Sequence, residues 1–206
     1  MVKQHGLSSG FHEKKAMKLG PPVDLLLACL VCSAHRQTTA LQFPYDSGDR
    51  RTAAEILGES AATARRFKKR LFVVVGSSWC GPCKVFWNSL HTKTVWKALD
   101  KYYVVLKLDD YEPKEKAHLI NRGTAELVKN WAGSQPALPY YAVLSPDLKF
   151  LADSLDRTAD GPPFPGYPGI TSKAGDHLRG VLKKTAKGIT ASELKELEQF
   201  MANYEG

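Results

Sequence analysis

Residues 71–84, LFVVVGSSWCGPCK, decide the fold. The first five, Leu71 to Val75, form a continuous apolar run rich in β-branched side chains, which predicts a strand covered on both faces. Gly76, Ser77 and Ser78 predict a loop, and a helix is expected to open at about Gly81. Two residues separate Cys80 from Cys83, close enough for the thiols to close a small disulfide ring. The first cysteine falls at a helix N-terminus, where unpaired N–H groups and the helix dipole favour a thiolate. Such a sulfur attacks a substrate disulfide. Cys83, inside the first helical turn and more covered, attacks the mixed disulfide that results. Pro82 suits that turn, since no amide hydrogen is needed there.

On either side, the chain alternates. Thr52-Ala-Ala-Glu55 is a capping box and starts a helix with Ile56, Leu57, Ala61, Ala64 and Phe67 on one side. Arg65, Arg66, Lys68 and Lys69 end it, as the negative end of the dipole prefers. The helix after the dithiol is expected to reach about Leu99, with Val85, Phe86, Leu90, Val95 and Trp96 facing the core. Tyr102 to Leu108 reads as a second strand, 113–131 as a helix and Tyr140 to Leu144 as a third strand. Ser145-Pro-Asp147 is a turn, and Lys149 to Leu151 starts a fourth strand. Residues 161–169, GPPFPGYPG, are irregular. Helices are expected at about 174–186 and 191–203, the last behind a second capping box, Thr190-Ala-Ser-Glu193. This order implies a parallel strand pair with crossover helices, joined to a terminal hairpin.

WCGPCK resembles the active site of the thioredoxin family, and the strand order agrees over residues 52–155. The resemblance implies an α/β thioredoxin fold, here with a C-terminal helical extension from about residue 156. It implies Cys80 as nucleophile and Cys83 as resolving cysteine, supported by Trp79, which shields the disulfide, and by Gly81, Pro82 and Lys84. It also implies a cis-proline facing the disulfide. Leu138-Pro139-Tyr140 matches that position, with Leu138 and Tyr140 beside an extended substrate; Pro136 competes but lies farther from the strand. The family's buried aspartate, six residues ahead of the first cysteine, is replaced by Val74, so the proton acceptor for the resolving thiol is missing. Lys107 resembles the lysine that pairs with that acid and, without it, reads as a surface residue. In length and in its C-terminal helices the chain resembles secreted bacterial thioredoxin-like proteins.

Length and composition agree. The 206 residues suggest one domain plus extra segments, and 43% hydrophobic with 24% charged residues describes an ordinary globular chain. Four cysteines are too few for a disulfide-dense scaffold, and no apolar run reaches the roughly 18 residues of a membrane-spanning helix. The net charge of +8 comes without an arginine-rich tract or a nucleic-acid motif. Residues 1–34 read as a basic leader. Lys3, Lys14, Lys15 and Lys18 precede the apolar stretch Leu25 to Ala34, a secretory signal cut near Ala34. Leu26-Leu27-Ala28-Cys29 loosely matches a lipid-attachment site, and a buried N-terminal element is the structural alternative. Cys29 and Cys32 lie inside the apolar stretch, where a thiolate is costly. Residues 35–50 read as a linker, and 51–206 as the domain with its extension.

The remaining candidates are weaker. A zinc site wants four ligands and no second ligand pair follows, so no metal is expected; His91, His118 and His177 are scattered singles. Trp87 and Trp96 fit a core or a groove. Phe164 and Tyr167 either line a substrate groove or pack on the surface, and Lys183-Lys184 is a solvated helix end. The resulting expectation is a thiol–disulfide oxidoreductase, periplasmic or secreted and monomeric. It acts on protein thiols and disulfides, with an unnamed redox donor and no cofactor beyond its own dithiol. A thioredoxin-fold binding or chaperone module with a structural disulfide is the alternative.

Overall fold

The apolar run becomes the strand β1 (Arg70–Gly76), buried on both faces from Leu71 onward, as continuous β-branched sequence demands. The computed structural model describes residues 49–157 and 172–202. The 1–34 leader, residues 35–48 of the linker and the Phe164–Tyr167 loop therefore lie outside the described residues. Helix α1 (Ala53–Phe67) precedes β1 and carries the complete capping box, Thr52 and Glu55 each accepting from the other's backbone. Then follow α2 (Gly81–Leu90), α3 (Lys93–Tyr102), β2 (Tyr103–Asp109), α4 (Thr124–Ala132), β3 (Tyr140–Leu144), β4 (Phe150–Asp153), α5 (Ser172–Thr185) and α6 (Ala191–Ala202).

The sheet order is β2-β1-β3-β4, with β1 and β2 parallel and both remaining pairs antiparallel. This is the mixed sheet with terminal hairpin that the alternation implied. Period-two alternation sends side chains to two cores. Leu71, Val73, Val75, Tyr140, Ala142 and Leu144 meet Ile56, Leu57, Ala61 and Ala64 of α1 and Val128 of α4. On the opposite face, Phe72, Val74, Tyr141 and Val143 meet α2, α3, α5 and α6. There Phe72 stacks on Tyr141 with centroids 5.2 Å apart, a pairing worth about 0.5–1.5 kcal/mol beyond its area.

Both C-terminal helices belong to this second core. Leu178, Val181 and Leu182 of α5 and Leu197 of α6 are buried in it. Tyr103 at the start of β2 donates to Thr185 Oγ1 at 2.7 Å, since the threonine hydroxyl is spent on Val181 O. Lys101 and Tyr102 of α3 both reach Glu193, the capping acid of α6.

Two expected helices are broken. The stretch after the dithiol is α2 and α3, separated at His91 and Thr92. Ser89 and Thr92 side chains take the carbonyls of Phe86 and Ser89, offering the backbone an alternative to continued helix. The 113–131 stretch is a 3₁₀ turn, Lys114–Leu119, followed by α4; Gly123, with φ 92°, marks the break. Val85 and Trp96 are only half-buried, whereas Phe86, Trp87, Leu90 and Val95 are buried. Phe67 is 57% exposed rather than core, because it is the last residue of α1; Arg66 and Lys69 cover its ring at 5.3 and 6.0 Å.

Candidate active site

Three hydrogen bonds fix the dithiol. Cys80 N donates to Ser77 O at 3.1 Å, closing the turn that leaves β1. Cys80 is the N-cap of α2, with extended backbone at φ −78°, and its Sγ accepts from Cys83 N at 3.2 Å. Lys84 N bonds Cys80 O, the first helical bond. Pro82 lies in the first turn, which contains no acidic side chain to offset the positive helix end. The sulfurs are joined, with Cα atoms 5.3 Å apart. Cys83 is wholly buried and Cys80 nearly so, at 3% exposure. Gly81, Pro82 and Lys84 are exposed around them.

The cis-proline falls where the sequence placed it. The Leu138–Pro139 bond is cis, and Pro136 has no cis bond. Tyr140 pairs with Val75 in the antiparallel ladder, so Pro139 sits one residue farther along, at the end of β1 from which the dithiol loop emerges. Pro139 is buried, and Leu138 is half-buried against the α1-side core. The side chain of Tyr140 does not suit a substrate-contacting role. It is fully buried and its hydroxyl donates to Asp153 Oδ2 at 2.9 Å, because alternation turns it toward the core. Burial and the neighbouring Asp153 carboxylate hold its phenol far above the usual range.

The residues following β2 clasp the dithiol loop, and the sequence reading missed them. Glu112 accepts from both the backbone N–H and the hydroxyl of Ser78, the latter at 2.8 Å. Lys116 Nζ donates to Ser78 Oγ at 3.1 Å. Trp79 Nε1 donates to Tyr111 O at 2.9 Å. Trp79 is therefore tethered outward, 59% exposed, rather than folded down as a shield. Tyr111 takes a left-handed backbone, φ 58°, which turns the chain back toward the loop. Buried Asn121 locks the end of β2: its Oδ1 accepts from Asp109 N, its N–H donates to Asp109 O, and its Nδ2 bonds the carbonyls of Asp49 and Arg51.

Lys107 is not a surface residue. It faces Val74 across the parallel ladder and pairs with Asp109 at 2.6 Å, the two side chains 2% and 4% exposed. Asp109 lies two residues along the same strand and thus on the same face. The carboxylate absent at position 74 is met by one on the neighbouring strand.

The histidines are held by backbone carbonyls or exposed: His91 Nδ1 bonds Trp87 O and His177 Nε2 bonds Asp153 O, both at 2.8 Å, while His118 is exposed. His91 stacks against Trp96, which explains that residue's partial burial. Among the described residues no three His, Cys, Asp or Glu gather as a metal site. Nor is any helix among them long and apolar enough to cross a membrane.

Residues 53–146 match a family model described as thioredoxin-like. Among solved structures, a disulphide isomerase from Xylella fastidiosa Temecula1 is 19% identical, with a TM-score of 0.46, over 79% of this chain and 96% of that chain. No curated protein matches the chain.

Proposed function

We propose that this chain, whose residues 53–146 match a thioredoxin-like family model, reduces or exchanges disulfides in protein substrates through Cys80 and Cys83. The observation that carries the reading is Cys80 at the N-cap of α2, joined to Cys83 and set at the same sheet end as cis-Pro139. In the reduced protein, the Cys80 thiolate is stabilised by the N–H groups of the first turn, the Cys83 amide among them. It attacks one sulfur of a substrate disulfide; the S–S bond breaks and the other substrate sulfur leaves as thiolate. The Cys83 sulfur then attacks Cys80 Sγ. The mixed disulfide breaks, the Cys80–Cys83 bond forms, and the second substrate thiol is released. Two electrons pass from the dithiol to the substrate, so the dithiol is itself the redox group and an external dithiol reductant resets it.

The backbone before Pro139 is the edge offered to an extended substrate. The basic, apolar leader supports export, cleavage near Ala34 and work in a periplasmic or extracellular setting. N-terminal sequencing of the exported protein tests that part. Insulin reduction with dithiothreitol tests the chemistry. Cys80→Ser abolishes turnover and Cys83→Ser accumulates mixed disulfides; equal turnover in wild type and Cys80→Ser refutes the reading.

One observation favours a second reading, a binding module with a structural disulfide: Cys80 is only 3% exposed. Iodoacetamide labelling of the reduced protein across pH separates the two. An acidic Cys80 supports the enzyme, and a thiol titrating near its ordinary 8.5 supports the module.

A further inference from the structure

The proposed chemistry leaves one step without a proton acceptor. Cys83 is wholly buried, and its thiol must lose a proton as its sulfur attacks Cys80. The strand beneath offers no carboxylate at Val74. The neighbouring strand β2, however, carries the buried pair Lys107–Asp109 beside it. Alternation along β2 places it on the face that carries α2. Tyr103 and Val105 share this face with Val74 and Phe86, whereas Leu106 and Leu108 point to the other core. In the ladder Lys107 is opposite Val74, and Asp109 is opposite Gly76, four residues before Cys80. Gly76 itself adds no side chain to the face beside Asp109. Asn121 fixes the Asp109 backbone from both sides.

A buried ion pair is costly to desolvate and contributes little net stability, so its upkeep here calls for another role. We propose that Asp109, held in place by Lys107, is the general base that takes the Cys83 proton, directly or through one water, when the mixed disulfide is resolved. The inference rests on the oxidoreductase reading above. The balance is complete: the Cys83 S–H proton passes to the Asp109 carboxylate, Cys83 sulfur bonds Cys80 sulfur, and the substrate sulfur leaves with the electron pair of the broken bond. Asp109 later returns its proton to solvent. The titratable and charged groups on the elements packed around it are Lys107 and Tyr103 on its own strand, Cys80, Cys83 and the terminal His91 on α2, Arg70 at the far start of β1, Tyr141 on β3, and Asp110, Tyr111 and Glu112 just beyond it; Lys84 is turned to solvent.

Single-turnover reaction of the reduced full chain with 5,5′-dithiobis(2-nitrobenzoate) reads both steps. Attack by Cys80 releases a first thionitrobenzoate, and resolution by Cys83 releases a second. In wild type the second phase holds nearly level from about pH 8 down to about pH 6, because an internal base takes the proton. A second phase that instead falls about tenfold per pH unit over that range means free thiolate alone attacks, and overturns the proposal. Asp109→Asn leaves the first phase and its pH profile in place, slows the second about tenfold or more near pH 7, and recovers as pH rises. An unchanged second phase in Asp109→Asn also overturns it. Val74→Asp/Asp109→Asn returns a carboxylate opposite Lys107 and restores the level profile. If Asp109→Asn does not fold, the wild-type profile alone decides. Loss of a fast, Cys80-dependent first phase in wild type is a different outcome: it sinks the oxidoreductase reading itself.

Discussion

Replacing Glu112 by alanine removes two hydrogen bonds from the dithiol loop, those to the amide and the hydroxyl of Ser78. Charge-assisted hydrogen bonds contribute about 1.5–3 kcal/mol each when shielded from water. Glu112 is half-exposed, and Lys116 and Tyr111 still hold Ser78 and Trp79. Together these bring the net loss to about 1.5 kcal/mol for the two bonds. Each 1.4 kcal/mol is about tenfold, so the detached-loop population rises roughly tenfold. Hydrogen exchange at the Ser78 amide reads this population and accelerates by about the same factor. Cys80 lies only two residues from Ser78, so the substitution also removes a negative charge that opposes its thiolate. The alkylation midpoint of the reduced protein therefore moves to lower pH. Glu112→Gln separates the two effects: it keeps an acceptor for the Ser78 amide and so most of the protection, yet it lowers the midpoint as alanine does. Ser78 exchange unchanged in Glu112→Ala shows that the clasp does not hold the loop.

Burial holds the Tyr103 phenol protonated, pushed up to about 12; Tyr103→Phe then costs about 1 kcal/mol in urea unfolding, while Thr185→Val, which strands the buried hydroxyl, costs about 1–3 kcal/mol. Equal costs contradict the donor assignment. Burial lowers the His91 pKa below its ordinary 6.5, so the unfolded chain takes up a proton that the native ring resists. That stability is fully present above about pH 6.5 and is lost as pH falls through it; between about pH 7.5 and 5.5 the wild type loses more melting temperature than His91→Gln, and parallel losses defeat the argument. Phe67→Ala stays within about 0.5 kcal/mol of wild type because the ring is mostly in water, whereas Leu57→Ala, from the α1-side core, costs about 2–5 kcal/mol in the same melts.

Sequence was most informative where the physics is local. The capping boxes at Thr52 and Thr190 each need only four consecutive residues, and both formed. The buried strand and the cysteine at the helix start needed only their immediate neighbours. Helix continuity was less legible, because residues 89–92 have ordinary helix-compatible identities. What ends α2 is two side-chain hydroxyls choosing carbonyls of their own helix, a competition that composition does not display. Gly123 was the visible mark of the second break, and only its left-handed backbone made it decisive.

The support around the dithiol was less legible because its hydrogen bonds span more than thirty residues. Glu112 reaches back to Ser78 and Tyr111 to Trp79 only after the parallel ladder sets Gly76 beside Asp109. Lys107 is the instructive case. The sequence alone makes it a surface residue, because the position on β1 where its acid would stand holds Val74. A lysine inside YVVLKLD, on a strand flanked by β1 and covered by helices, has no water to turn to; a carboxylate must reach it from the same face. Strand periodicity offers one two residues on, and Asp109 is there at 2.6 Å. The charge spacing was thus readable, but its burial was not, because the layer over this face of the sheet is assembled from α2, α3, α5 and α6, elements scattered along the chain.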